Sequence, residues 1–385
     1  MQYADRLCEI CGSADHAEVF SWTQVAKTRI RDFRWSIRNV VCQECGFAFV
    51  SPAPTQESLH EFYTSCFALF DGSEVGIPDR LSFLKSLRPR FGAVVEVGGN
   101  RSDEFAASLR SFTDSYLNCE IAGDAAGDVQ SLSSLKDGSA DLIVTYYVFE
   151  HVVGLPDMLA ECRRVLADNG TLIVEVPDIC YYPHKLDGIA LHEHVNHFSV
   201  RSLRALLARY GFRMTAMSRE YASRKFGLVA AFEKGAETVV TDASEVQDAT
   251  ASLQAGHALM RAAKAREERL RQQIRDWTAA GRRVVVWAAN AWSDAVIGGV
   301  EIPGHFVVVD SNPQKSKFLS GHEAFLPDTR ASELKAADVL LIFSEIWAKA
   351  ILKQVKQLRG DMGSLEVLVA STATPEGFVR INTAP

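Results

Sequence analysis

The sequence predicts an α/β protein in three parts: a small cysteine-held ribbon, a central Rossmann-like domain, and a second Rossmann-like α/β domain at the C-terminal end. Three observations carry that expectation. Four of the eight cysteines fall as two CxxC pairs, Cys8/Cys11 and Cys42/Cys45. A strand-like run at 93–100, AVVEVGGN, ends in a glycine turn and opens an alternation of strands and helices. A similar alternation restarts at residue 284. A chain of 385 residues also exceeds one ordinary core, because domains usually hold ~100–200 residues. The expected boundaries are 1–75 for the metal module and connector, 76–240 for the central domain, and 241–385 for a helical connector and the last domain.

Hydrophobic content of 47% with 23% charged residues is that of a globular protein. The net charge of −7 argues against a general nucleic-acid binder, which needs positive charge to displace counterions from phosphates. No run approaches the ~18 apolar residues of a membrane span. The start, Met1-Gln2-Tyr3-Ala4-Asp5-Arg6, has no apolar signal core. The expectation is therefore a cytoplasmic protein with neither nucleic-acid nor membrane partners.

In a reducing compartment paired cysteines favour metal over disulfides. Cys8-Glu9-Ile10-Cys11-Gly12 and Cys42-Gln43-Glu44-Cys45-Gly46 share one form. Each places two thiols on a tight turn, and together they offer the four soft ligands of a tetrahedral zinc site. With no open position, that zinc would be structural. Cys66, Cys119, Cys162 and Cys180 are scattered and read as small buried hydrophobes.

In the middle of the chain, the glycine turn after Glu96 leads into a helix from Asp103 to Leu109. Such a unit brings backbone amides close to a nucleotide-like ligand. The next strand, 116–120, ends in Glu120, about 20 residues beyond the turn, where a carboxylate can accept from ribose hydroxyls. Asp128, beside Val129, is placed to accept from an adenine amino group. A strand at 141–147, the segment Val148-Phe149-Glu150-His151-Val152, a helix from Leu155 to Leu166 and a strand at Thr171–Val176 complete a parallel sheet with right-handed crossovers.

These segments resemble class I S-adenosylmethionine-dependent methyltransferases. The resemblance lies in EVGGN at 96–100, Glu120, GDV at 127–129, DLIVTYYVFEHV at 141–152 and ECRRVLADNGTLIVEVPD at 161–178. It implies S-adenosylmethionine as cofactor, held by Glu96, Gly98, Asn100, Glu120, Asp128, Val129 and Tyr147.

Beyond Pro177 comes Leu191-His192-Glu193-His194-Val195-Asn196-His197-Phe198-Ser199. His194 beside Glu193 is a candidate general base near neutral pH. The set lacks the HExxH helix spacing of a catalytic metal. The alternative is a loop that only caps the cofactor site, followed by a helix at Ser199–Tyr210. His151 follows a strand whose carboxyl end faces the ligand in an open α/β sheet.

A long helix at 244–280, its basic run interleaved with acids, reads as a solvated connector. Strands at 284–289, 306–310, 338–343 and 365–370, with a helix at 290–297, form the second α/β domain, which lacks the usual glycine fingerprint at Trp287-Ala288-Ala289-Asn290-Ala291.

The order ribbon, methyltransferase core and second α/β domain is similar to the sugar C-methyltransferases that act on nucleotide-linked keto-deoxysugars. RRVVVWAANAWSD at 282–294 and VVVDSNPQKSKFLSGHEAFLP at 307–327 carry the narrower likeness. It implies a nucleotide-linked sugar as small-molecule substrate, a structural zinc, a monomer or small homo-oligomer, and catalytic groups at Tyr63, His151, Glu193 and His194. The family's further tyrosine is replaced by Leu191. Two other readings stand beside it: an O-methyltransferase on a sugar or glycan hydroxyl, and a non-catalytic S-adenosylmethionine-binding protein whose ribbon docks a partner.

Overall fold

A computed structural model describes all residues except 28–30, 67–75, 99–102, 121–127, 130, 185–192, 223, 372–373, 375 and 382–385. The chain divides into two compact units, Met1–Met260 and Arg261–Pro385. Among the described residues no helix is long and apolar enough to cross a membrane.

The first unit begins with β1 (Tyr3–Ala4), the long hairpin of β2 (His16–Lys27) and β3 (Asp32–Cys42), then β4 (Ala48–Val50), β5 (Ala53–Pro54) and α1 (Gln56–Cys66). Burial alternates along the first half of β3, so Phe33, Trp35 and Ile37 point to one side, against Leu59 and Phe62 of α1.

After α2 (Ile77–Leu87) come β6 (Phe91–Val97), α3 (Asp103–Phe112), β7 (Thr113–Cys119), β8 (Ala140–Tyr146), α4 (Leu155–Val165) and β9 (Leu166–Pro177). Then follow β10 (Asn196–His197), α5 (Val200–Arg209), β11 (Phe212–Ser218) and β12 (Gly227–Lys234). The central sheet runs β11-β12-β9-β8-β6-β7, with β7, β6, β8 and β9 parallel and β12 antiparallel between β9 and β11. Because successive side chains of a strand alternate faces, Leu142 and Val144 of β8 meet α2 and α3, whereas Ile143 packs with α4 and α5. Strands covered on both faces read as continuous apolar runs.

The ribbon and the central domain share the first unit because β10, formed beyond β9, pairs antiparallel with β4, making a four-stranded sheet β10-β4-β3-β2. The first half of α6 (Ala243–Ala279) also belongs here: Ala249, Leu253 and Met260 pack with Phe20, Val41 and Tyr182.

The second unit takes the rest of α6, then β13 (Val284–Trp287), α7 (Ala291–Ile297), β14 (Phe306–Val309), β15 (Ala324–Phe325), α8 (Ala331–Ala336), β16 (Val339–Ile342), α9 (Ala348–Arg359), β17 (Glu366–Ala370) and β18 (Phe378–Ile381). Its sheet order β15-β14-β13-β16-β17-β18, all parallel but for β18, reverses between β13 and β16. Ala288 there has φ 84°, a left-handed conformation that glycine adopts at least cost. The position that plays the glycine part is thus Ala288, while Ala289 is buried and donates its N–H to Asp310 at 2.8 Å.

Two expectations need correction. Cys119 and Cys162 are buried, but Cys180 is exposed, because it lies on a short turn whose backbone N–H is capped by Asp178 rather than on a core-facing strand. The strands β11 and β12 extend the sheet beyond the expected elements. The second is buried along nearly its whole length, so it lacks the alternation that marks a half-exposed strand.

Candidate active site

The residues expected to hold the cofactor gather at the carboxyl ends of β6, β7 and β8, where an open α/β sheet binds ligands. Gly98 has φ +68°, and a Cβ there would meet Val148 Cγ2 at 2.8 Å, so both backbone and space require glycine. Its N–H donates to the Cys119 carbonyl at 2.9 Å. Next to it, Glu120 N–H donates to Val129 O, and Val129 N–H donates back to Asn118 O, which seats Glu120, Asp128 and Val129 beside the end of β7. The Asp128 carboxylate itself accepts from Asn118 N–H at 2.8 Å. Glu96 is buried on β6 and accepts from the Tyr116 hydroxyl; burial raises its carboxyl above the ordinary range. Tyr147, directly after β8, takes φ 56° and donates its N–H to Glu175 O at 2.8 Å. Asn100 lies outside the described residues, as do Leu191 and His192.

The catalytic candidates come from three separated stretches of chain. Tyr63 is on α1, His151 ends the turn at Phe149–His151, and Glu193 and His194 immediately precede Val195 and β10. The Tyr63 and His151 rings lie 6.3 Å apart edge-on, and those of His151 and His194 4.8 Å apart. Glu193 and His194 are both buried.

Their electrostatics follow from that burial. Desolvation pushes the Glu193 carboxyl up to about 7. It pulls His151 down to about 4, so this imidazole is neutral near pH 7. Nδ1 of His151 lies 3.1 Å from the Glu193 carbonyl, which can only accept; the proton therefore sits on Nδ1 and Nε2 keeps its lone pair. That leaves Nε2 of His151 as an acceptor.

Sequence reasoning missed Glu150. Its carboxyl is fully buried, both oxygens lack a hydrogen-bond partner, and Oε1 lies 3.8 Å from His151 Nε2. Desolvation, reinforced by Glu175 and Glu193, raises its pKa well above the ordinary range, so it stays neutral. A glutamate just after a strand is usually solvent-exposed, and nothing in its neighbours marked it otherwise. Ligand atoms of Glu150, His151 and His194 lie within 4.8 Å of one another.

Four thiols gather at the ribbon. Cys8 Sγ lies 3.4 Å from Cys45 Sγ, and Cys11 Sγ 3.4 Å from Cys42 Sγ, so the two knuckles interleave. Each knuckle closes through its glycine: Gly12 N–H donates to Cys8 O and Gly46 N–H to Cys42 O, with φ +78° and +73°.

Residues 74–217 match the family model described as a methyltransferase domain. Sheet order and glycine turn agree with that match, and this stretch carries a methyltransferase domain. A stretch of 82 residues is 35% identical to an uncharacterized 37.1 kDa protein in transposon TN4556 of Streptomyces fradiae, spanning 21% of this chain and 23% of that protein. Among solved structures, the chain is similar to the 1,6-didemethyltoxoflavin-N1-methyltransferase of Burkholderia thailandensis, bound to 1,6-didemethyltoxoflavin and S-adenosylhomocysteine. The identity is 15% and the TM-score 0.37, covering 49% of this chain and 96% of that one. A SAM-dependent methyltransferase from Aquifex aeolicus matches at 16% identity and TM-score 0.33, covering 43% and 94%.

Proposed function

We propose that this protein methylates carbon on a nucleotide-linked keto sugar through an enolate. The observation that carries the reading is the convergence of Tyr63, His151, Glu193 and His194 beside the turn that follows β8, with Glu193 and His194 buried. Carbon becomes a nucleophile only after a neighbouring ketone lets a base remove its proton. His194 takes that proton: the C–H bond breaks, its electron pair forms the carbon–carbon double bond, and the carbonyl oxygen becomes the enolate oxygen. Glu193, once ionised, stabilises the imidazolium. The Tyr63 hydroxyl donates to the enolate oxygen, a contribution of ~2.7–4 kcal/mol for one preorganised donor. His151, whose Nδ1–H donates to the Glu193 carbonyl, orients the Tyr63 and His194 rings that flank it. S-adenosylmethionine, when bound, supplies an electrophilic methyl group whose bond to sulfur breaks as the carbon takes it. Gly98, Glu120, Asp128, Val129 and Tyr147, with Glu96 and Asn100, are the residues assigned to hold it.

We assign Cys8, Cys11, Cys42 and Cys45 to a structural zinc. A tetrahedron of ~2.3 Å zinc–sulfur bonds has sulfur–sulfur edges of ~3.8 Å, close to the spacing of these thiols, and all-cysteine ligation leaves no position for catalysis. The second unit has its own switch point between β13 and β16, where an open α/β sheet binds ligands, and we assign nucleotide binding to it.

The test is a panel of nucleotide-linked keto sugars and their reduced counterparts, carbon-deuterated, assayed by mass spectrometry. Methylation of ketones with loss of carbon-bound deuterium supports the enolate route. Methylation of hydroxyls with all deuterium retained would replace it with O-methylation. His194→Ala should abolish turnover while leaving S-adenosylhomocysteine affinity near wild type; a large loss of affinity would make the loop part of the cofactor site instead.

A further inference from the structure

We infer that Arg6 is a positioning residue for the candidate catalytic histidines, clamping the segment that bears His194 onto the cysteine knuckle. This rests on the reading of His194 as base. Arg6 is two residues ahead of the first knuckle cysteine, and its side chain is only 5% exposed. Buried arginine must spend its donors on fixed acceptors. Here Nη1 donates to the carbonyls of Val50 and Val195 at 3.4 and 3.1 Å, and Nη2 donates to Glu9 Oε1 and Asn196 Oδ1, both at 2.8 Å. One guanidinium thus ties β4, the knuckle and the residues directly after His194.

The circuit continues to His151. Asn196 Nδ2 donates to the carbonyls of Phe149 and Val152 at 2.8 and 2.7 Å, and Val195 N–H donates to Glu150 O at 2.7 Å. The turn carrying His151 is therefore stitched to the segment carrying His194, and Arg6 holds that segment from the far side. Glu9 closes the loop: its two oxygens accept from the N–H groups of Gly154 and Leu155, both at 3.2 Å. Helix α4 starts at a glycine with no side-chain cap of its own, so a knuckle glutamate caps it from 145 residues away. Planarity matters. Lysine would keep the charge but presents a point donor that cannot span four acceptors in one plane.

The experiment uses Arg6→Lys in the full-length, metal-loaded protein saturated with S-adenosylhomocysteine. Deuterium uptake should rise for the peptide covering 193–199 and stay unchanged over the central strands β6 and β8. The S-adenosylhomocysteine dissociation constant should stay within about twofold. With the best keto sugar of the panel, kcat should fall at least about tenfold at little changed KM. Unchanged uptake at 193–199 overturns the clamp. Increased uptake with unchanged kcat overturns positioning, and a parallel loss of S-adenosylhomocysteine affinity makes Arg6 merely structural. If Arg6→Lys does not fold, Glu9→Gln, which keeps Arg6 but weakens its anchor, is read by the same outcomes. Should His194→Ala keep full turnover, or no keto sugar react, the enolate reading fails; the uptake at 193–199 still decides the clamp.

Discussion

Glu193 is buried and His151, half-buried, meets its carbonyl, yet desolvation moves the two in opposite directions because it disfavours whichever form is charged. Glu193 shifts from 4.5 to about 7. The folded protein then holds a proton that the unfolded chain has released, so this group makes stability fall as pH rises from 4.5 to 7. His151 shifts from 6.5 to about 4, and it makes stability rise as pH climbs through that window. Between 4.5 and 6.5 the two largely offset each other, and above it the Glu193 carboxyl is no longer balanced by His151. Replacing Glu193 with glutamine should therefore leave stability near wild type at pH 4.5 and raise it by about 3 kcal/mol relative to wild type at pH 8. Urea unfolding at the two pH values checks this; an equal effect at both would mean that the carboxyl is not kept protonated. The same group predicts catalysis. Since ionised Glu193 supports the protonated base, kcat should rise through pH 7 in the wild type, and Glu193→Gln should flatten that limb.

At the scale of elements, the two-residue strand β10 decides where the catalytic segment lies. It is too short to hold itself, and His197 secures it. Nε2 lies 2.6 Å from Asn39 Oδ1 on β3 and Nδ1 lies 2.8 Å from the Tyr182 hydroxyl. The amide oxygen can only accept, so Nε2 carries the proton and Nδ1 accepts from tyrosine. Burial near the Arg6 cation pulls this histidine down to about 3, which keeps it neutral. Asn39→Ala should strand the buried N–H and cost roughly 1–3 kcal/mol in urea unfolding, with faster deuterium uptake at 193–199. A stability equal to wild type would show that β10 is held by other contacts. The sequence disclosed the strands that carry chemistry, because β6 and β8 are apolar runs ending in a glycine turn or in FEHV. It also singled out His151, just beyond the end of β8, and His194, within a run of histidines, a scarce residue type in this chain. It did not disclose β10, Glu150 or Arg6. Their roles come from pairings across some 45 to 190 residues, and no local periodicity encodes a partner that distant.

At the scale of the first unit, the cysteine knuckles are tied into the central domain rather than appended to it. β4 pairs with β10, and the knuckle residues Glu9 and Ile10 bond to α4 and to Arg209 of α5. A cysteine-held segment that lacks a large core of its own gains much of its folding free energy from its metal. Losing that metal should then loosen β10 and the His194 segment before it disturbs the central sheet, whose own layers of α2, α3, α4 and α5 remain packed. The purified protein should hold one zinc per chain. Removing it with a strong chelator should lower methyl transfer severely and raise deuterium uptake at 193–199, while S-adenosylhomocysteine affinity falls far less. Restoring zinc should recover both readouts together. A metal-free protein with native uptake at 193–199 would refute the zinc assignment, and a metal-free protein that loses S-adenosylhomocysteine binding in step with activity would mean that the ribbon supports the whole first unit and not the catalytic segment in particular.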